Sequence, residues 1–208
     1  MSEVIIAARG VEVRLGGTPV LRDAGLVAAA GEILAVVGEN GAGKSTLLRC
    51  LAGLHPPLRG RIEVLGGPPV DAAAFWKQIV LVGDEPAWYP GLSVEEHLEL
   101  ARVVHRGGRL TVAEALEVFE LGGRANLSPL SLSTGQRQRL SLAMALLRPS
   151  RLLLLDEPER GLDAAFRERL AAILNGYARD GGTVVMATHD LRLATATQAR
   201  LVTLEAAA

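Results

Sequence analysis

The chain has 208 residues, 22 Lys and Arg against 23 Asp and Glu for a formal charge of −1, and 49% hydrophobic residues. That hydrophobic share supports a sizeable core and excludes a disordered chain, while the near-neutral balance excludes an overall basic footprint for nucleic acid or an anionic membrane surface. No apolar run approaches the ~20 residues that span a bilayer and Met1-Ser2-Glu3-Val4 lacks the features of a signal peptide, so a cytosolic chain is expected.

In chain order, Val4 to Leu15 reads as a strand, Gly16-Gly17-Thr18-Pro19 as a turn, and Val20-Leu21 as a second extended stretch, an antiparallel opening. Further strands are expected at Ile33–Val37, Arg61–Val64, Ile79–Val82, Leu152–Leu155, Thr183–Ala187 and Arg200–Leu204, with helical patterns between several of them, which suggests βαβ units and a parallel sheet. From Pro86 to Arg148 only helical patterns occur. Ser93-Val94-Glu95-Glu96 and Thr111-Val112-Ala113-Glu114 both match a capping box, in which a hydroxyl and a glutamate three residues later satisfy free N–H groups reciprocally. The reading is therefore an α/β chain in one domain, residues 1–208: a phosphate-loop NTPase core of mostly parallel sheet (about 1–85 and 149–208), an N-terminal antiparallel β subdomain, and a helical insert at about 86–148. The Ala-rich patches at 28–30, 72–74 and 206–208 read as surface filler or a frayed tail, and the lone Cys50 as a buried thiol in an apolar helix.

Gly38-Glu39-Asn40-Gly41-Ala42-Gly43-Lys44-Ser45-Thr46 is a G-x-x-x-x-G-K-[ST] loop between a β-branched run and the helical pattern Leu47–Leu54. Glycines at 38, 41 and 43 let the backbone turn its N–H groups towards a phosphate, with the positive end of the following helix behind them. Lys44 is expected to reach the β- and γ-phosphates of a nucleoside triphosphate, and the Ser45 hydroxyl to ligate Mg²⁺. The apolar run Leu152–Leu155 ends in Asp156 and Glu157, placed to hold Mg²⁺ through water and to polarise a water attacking the γ-phosphate.

Leu132-Ser133-Thr134-Gly135-Gln136 precedes a helix and alone is no more than an N-cap. Together with the loop at 38–46, the two carboxylates, Gly161-Leu162-Asp163 and His189, it resembles the nucleotide-binding subunit of the ATP-binding cassette family, over nearly the whole chain. The resemblance implies that Ser133, Gly135 and Gln136 form the signature contacting the γ-phosphate bound by a second subunit. It implies likewise that His189 is the switch histidine, that Asp163 lies in a loop crossing the dimer interface, and that two chains, as a homodimer or heterodimer, face head to tail with ATP between them. For His189 a helix start at Thr188-His189-Asp190 is the alternative.

The chain departs from the family pattern at several positions, among them Thr134, which replaces a glycine of the signature and keeps a helix-start backbone. Leu15 stands where an aromatic ring usually stacks on adenine, with Arg14 beside it able to lay its guanidinium on the base. Asp84 replaces a glutamine that senses Mg²⁺; it either ligates the metal, repels the γ-phosphate, or is an exposed Asp in a tolerant loop. Glu159-Arg160 replaces a pair that is often Thr-Ser, with Arg160 either pairing across the dimer or at the catalytic site, or solvated.

By this resemblance the chain is an ATP-hydrolysing motor, peripheral on the cytoplasmic face of a membrane and driving a transmembrane permease on a separate chain. Trp76, Trp88 and Tyr89 are candidates for the groove that accepts the permease, the alternative being that they are core. The short end after His189 tilts the expectation towards export, and the length is similar to that of haem-exporter ATPase subunits, though no residue selects a cargo. Two alternatives stay open: a soluble ATPase of the same family in iron–sulfur cofactor assembly, and a poorly hydrolytic regulatory half of a heterodimer.

Overall fold

The structure, a computed structural model, describes residues 3–83 and 88–207. Strands β1 (Val4–Leu15) and β2 (Thr18–Ala29) form a long hairpin closed by Gly16 and Gly17. Both glycines have positive φ (56° and 85°), which a two-residue hairpin turn of right-handed twist requires. β4 (Arg59–Val64) pairs antiparallel with β1, giving a three-stranded sheet in the order β2-β1-β4.

The second sheet is parallel throughout. It contains β3 (Ile33–Val37), β5 (Ile79–Val82), β6 (Leu152–Asp156), β7 (Thr183–Ala187) and β8 (Arg200–Thr203) in the order β5-β6-β7-β3-β8. The helices are α1 (Lys44–Leu51), the single turn α2 (Ala73–Trp76), α3 (Val94–Val104), α4 (Val112–Val118), α5 (Thr134–Leu147), α6 (Ala164–Arg179) and α7 (Leu191–Ala196). β6 and β7 read as unbroken apolar runs because both faces of the parallel sheet are covered. Alternate residues feed two separate cores. Leu153, Leu155, Val184 and Met186 join α5, α6 and the α3–α4 helices, whereas Leu152, Leu154, Val185 and Ala187 join α1 and the antiparallel sheet.

Both predicted capping boxes form, at Ser93/Glu96 and Thr111/Glu114, and the backbone N–H bonds at these caps hold both glutamates below the usual carboxylate range. β2 is far longer than its predicted Val20-Leu21 segment. Asp23, at φ 49°, interrupts its pleat, and beyond it Ala24, Leu26 and Ala28 alternate inward. Ala28 is thus core and not surface filler, while Ala72, Ala73 and Ala74 are exposed as expected. Cys50 is buried, and burial pushes its thiol up to about 11. No helix among the described residues is long and apolar enough to cross a membrane.

Candidate functional site

The sheet order sets the site. In a parallel sheet the loops after neighbouring strands share one edge, so the loops after β6, β7 and β3 lie side by side with the β7 loop in the middle. These loops carry Asp156 and Glu157, His189, and residues 38–46, respectively.

After β3 the chain turns through Gly41 and Gly43, at φ 83° and 88°, into α1. Gly43 is pressed against the hairpin: a Cβ there would stand 2.7 Å from the Val20 carbonyl oxygen. Among the described residues no side-chain cap closes the start of α1, so its first N–H groups are left for another acceptor. Lys44 is buried, its Nζ donating to the carbonyls of Gly38 and Glu39 at 2.9 Å each. Ala42 and Thr46 are buried, Gly38, Gly43 and Ser45 half-buried, and Asn40 and Gly41 exposed. This is a preformed cradle for phosphate oxygens: uncapped N–H groups at a helix N-terminus with an ammonium already in place.

Asp156 closes β6, half-buried and in register with Ala187 of β7. Glu157 follows with φ 47°, a left-handed backbone uncommon outside glycine, and is held there by its N–H bond to the Ala187 carbonyl at 2.8 Å. Its carboxylate stands 3.5 Å from His189 Nε2 on one oxygen and 3.7 Å from Arg160 Nε on the other. Arg160 thus turns to the strand-end carboxylate of its own chain. The helix start that competed as an explanation for His189 belongs to Asp190, whose carboxylate caps α7 at Arg192 and Leu193 and leaves the imidazole free to meet Glu157. A carboxylate and an imidazole in contact, both partly exposed, can polarise and accept a proton from a water.

Ser133 forms a third capping box, accepting from the Gln136 N–H while Gln136 Oε1 accepts from the Ser133 N–H. Gly135 touches the next loop so closely that a Cβ would overlap the Gly161 carbonyl oxygen. Two residues not singled out from sequence wire α5 to that loop. Gln138 Nε2 donates to the Pro158 carbonyl at 3.2 Å, and Arg139 bonds Asp163 at 2.8 Å while lying 4.0 Å above the Phe166 ring. Their spacing from Ser133 on one helix was the available signal. Among the described residues, none of the hydrogen bonds of Ser133 and Gln136 reaches residues 38–46.

Leu15 sits at the hairpin tip, paired with Thr18 and 43% exposed. From the hairpin, Leu21 lies against Gly43 of the loop at 38–46. Asp84 lies outside the described residues. The aromatic trio divides: Trp76 packs on the α1 side and bonds Asp71, Trp88 packs on the α5 side against buried His97, and Tyr89 is exposed. Tyr89 lines a groove, a cavity of about 360 Å³ between β5, α3 and α5, with Leu81, Leu100, Val104, Met144 and Arg148.

The oxygen donors here, the Ser45 hydroxyl and the Asp156 carboxylate, are hard ligands that suit Mg²⁺, an ion that takes one or two protein oxygens and completes its shell with phosphate and water. Fold and site together define a phosphate-loop ATPase with an open parallel sheet. The ABC transporter family model matches residues 21–160. The chain is 40% identical over 201 residues to the aliphatic sulfonates import ATP-binding protein SsuB 2 of Pseudomonas aeruginosa, covering 96% of this chain and 72% of that one. It is 38% identical over 185 residues to the cytochrome c biogenesis ATP-binding export protein CcmA of Rhodopseudomonas palustris, covering 89% and 92%. It superposes on the ATP-binding cassette MJ0796, in a dimeric post-hydrolysis state bound to ADP and Pi, with a TM-score of 0.84 and 27% identity over 98% of this chain and 97% of that one. The chain belongs to the ABC transporter family, as an ATP-binding motor subunit. Its relatives include import and export proteins, so the similarity carries no direction of transport.

Proposed function

We propose that the chain hydrolyses ATP between two head-to-tail copies, or between itself and a similar partner, and drives a membrane-spanning protein encoded separately. The observation that carries this reading is the contact of Glu157 with His189, 3.5 Å apart on adjacent strand-end loops beside the cradle at 38–46. The uncapped N–H groups of α1 and Lys44 bind the phosphates. Glu157 polarises the attacking water and His189 orients on the γ-phosphate. Ser45 and Asp156 would hold Mg²⁺, which when bound neutralises charge on the β- and γ-phosphates. Ser133, Gly135 and Gln136 meet the γ-phosphate of the facing copy. Their wiring to 158–163 and the absence of any bond from Ser133 and Gln136 to 38–46 in the same chain, among the described residues, support that reading.

The groove beside Tyr89 takes a short segment of the membrane partner, and this attachment holds the chain at the cytoplasmic face. Val104, 62% exposed on α3 and lining the groove, supplies apolar surface for such a contact. The steady-state ATPase of the purified chain tests the chemistry: Glu157→Gln should lower kcat by about a hundredfold or more while ATP still binds. Recovery of the chain with an integral membrane protein tests the partner, and recovery only with a soluble protein would sink the transporter reading.

A further inference from the structure

Glu159 occupies a place the mechanism above does not use. It is 8% exposed, although it lies three residues past the end of β6 in a run of charges. Its Oε1 accepts two hydrogen bonds, from Thr188 Oγ1 at 2.6 Å and from the His189 backbone N–H at 3.1 Å. Its Oε2 is sealed from solvent with no partner among the described residues. Thr188 is itself fully buried and its hydroxyl accepts from the Asp190 N–H at 2.9 Å, so the carboxylate closes a chain of bonds through the whole 188–190 turn. A second brace runs parallel to it: Arg167 donates to the Leu162 carbonyl at 3.0 Å and to the Asp190 carboxylate at 3.1 Å. The turn that begins at Glu157 and the turn that carries His189 are therefore tied together twice.

A carboxylate buried with one oxygen unpaired costs stability unless it secures something else. Here it secures the backbone of His189 relative to the loop of Glu157. We infer that Glu159 is a positioning residue for hydrolysis: it holds His189 at its distance from Glu157, and it passes any displacement of residues 160–163 to the imidazole. The inference rests on the proposed roles of Glu157 and His189.

A mutant cycle on the full-length chain tests it, read as steady-state ATPase and as ATP affinity. Glu159→Leu keeps the volume and removes the acceptor, and should lower kcat about tenfold with KM for ATP within about twofold. Glu159→Gln keeps an acceptor at Oε1 and should retain at least about a third of kcat. In a His189→Ala background Glu159→Leu should cause no further loss, because the group it positions is gone. Additive losses in that background, or a Glu159→Leu kcat equal to wild type, would overturn the inference. If His189→Ala itself leaves kcat unchanged, the role proposed for His189 fails, a result distinct from failure of the Glu159 brace. Should Glu159→Leu not fold, Thr188→Val removes one of the two donors, and a kcat about threefold lower with unchanged KM supports the brace while an unchanged kcat overturns it.

Discussion

Glu157 reaches His189 from a left-handed backbone, φ 47°, with its carboxylate 3.5 Å from the imidazole Nε2. A non-glycine residue in that region costs about 1 kcal/mol or more, a cost tolerated where the geometry serves chemistry. Glu157→Gly and Glu157→Gln should both lack turnover, yet the glycine variant should melt about 2 °C above the glutamine variant, because the strain is relieved only in the former. Calorimetry decides; a glutamine variant that melts higher would mean the backbone is unstrained.

Gly135 leaves no room for a side chain against Gly161, whose own φ of 69° suits glycine. Gly135→Ala must therefore shift the start of α5 away from the 157–163 loop. Hydrolysis should fall about tenfold or more while ATP affinity of the isolated chain stays within about twofold, since residues 38–46 are not disturbed. Fluorescent-nucleotide titration beside a turnover assay checks the split.

The Asp163 carboxylate accepts from the Phe166 N–H at 2.8 Å and pairs with Arg139, and these contacts hold its carboxyl below the usual range. A depressed folded value means the contribution is present above the unfolded value of about 4 and is lost as pH falls through the folded one. Asp163→Asn keeps a capping oxygen but not the charge. Its melting temperature should lie below wild type at pH 6 and converge with it as the pH drops below about 4, as followed by thermal denaturation across that range.

Leu15, at the hairpin tip and 43% exposed, has room for a larger ring. A base stacked on an aromatic gains about 1–3 kcal/mol, so Leu15→Tyr should tighten ATP binding about tenfold and widen its margin over GTP. Equal affinities in wild type and variant would show that this tip does not meet the base.

The motifs at 38–46 and 156–157 were legible because each needs fixed residue types at fixed spacing, and the parallel strands because they are unbroken apolar runs. β2 was read short because Arg22 and Asp23 break its alternation and its inward residues beyond them are Ala24, Leu26 and Ala28, two of which have little β preference. His97 was overlooked although it shares a helix face with Val94, Leu98 and Ala101. It is wholly buried, with Nδ1 donating to the Ser93 carbonyl at 2.7 Å and Nε2 accepting from the Tyr89 N–H at 3.0 Å. Nothing in the sequence neighbours of Glu159 reveals that Thr188 and the His189 N–H lie opposite it. Pairings of that kind depend on the order of strands in the sheet, which local pattern does not encode.

That order has one more effect. β7 is buried at every position and flanked on both sides, by β6 and by β3, so its amide protons should rank among the slowest to exchange with solvent. The histidine turn thus follows a strand whose backbone is paired on both sides, and the placement of His189 against Glu157 depends on that central pairing.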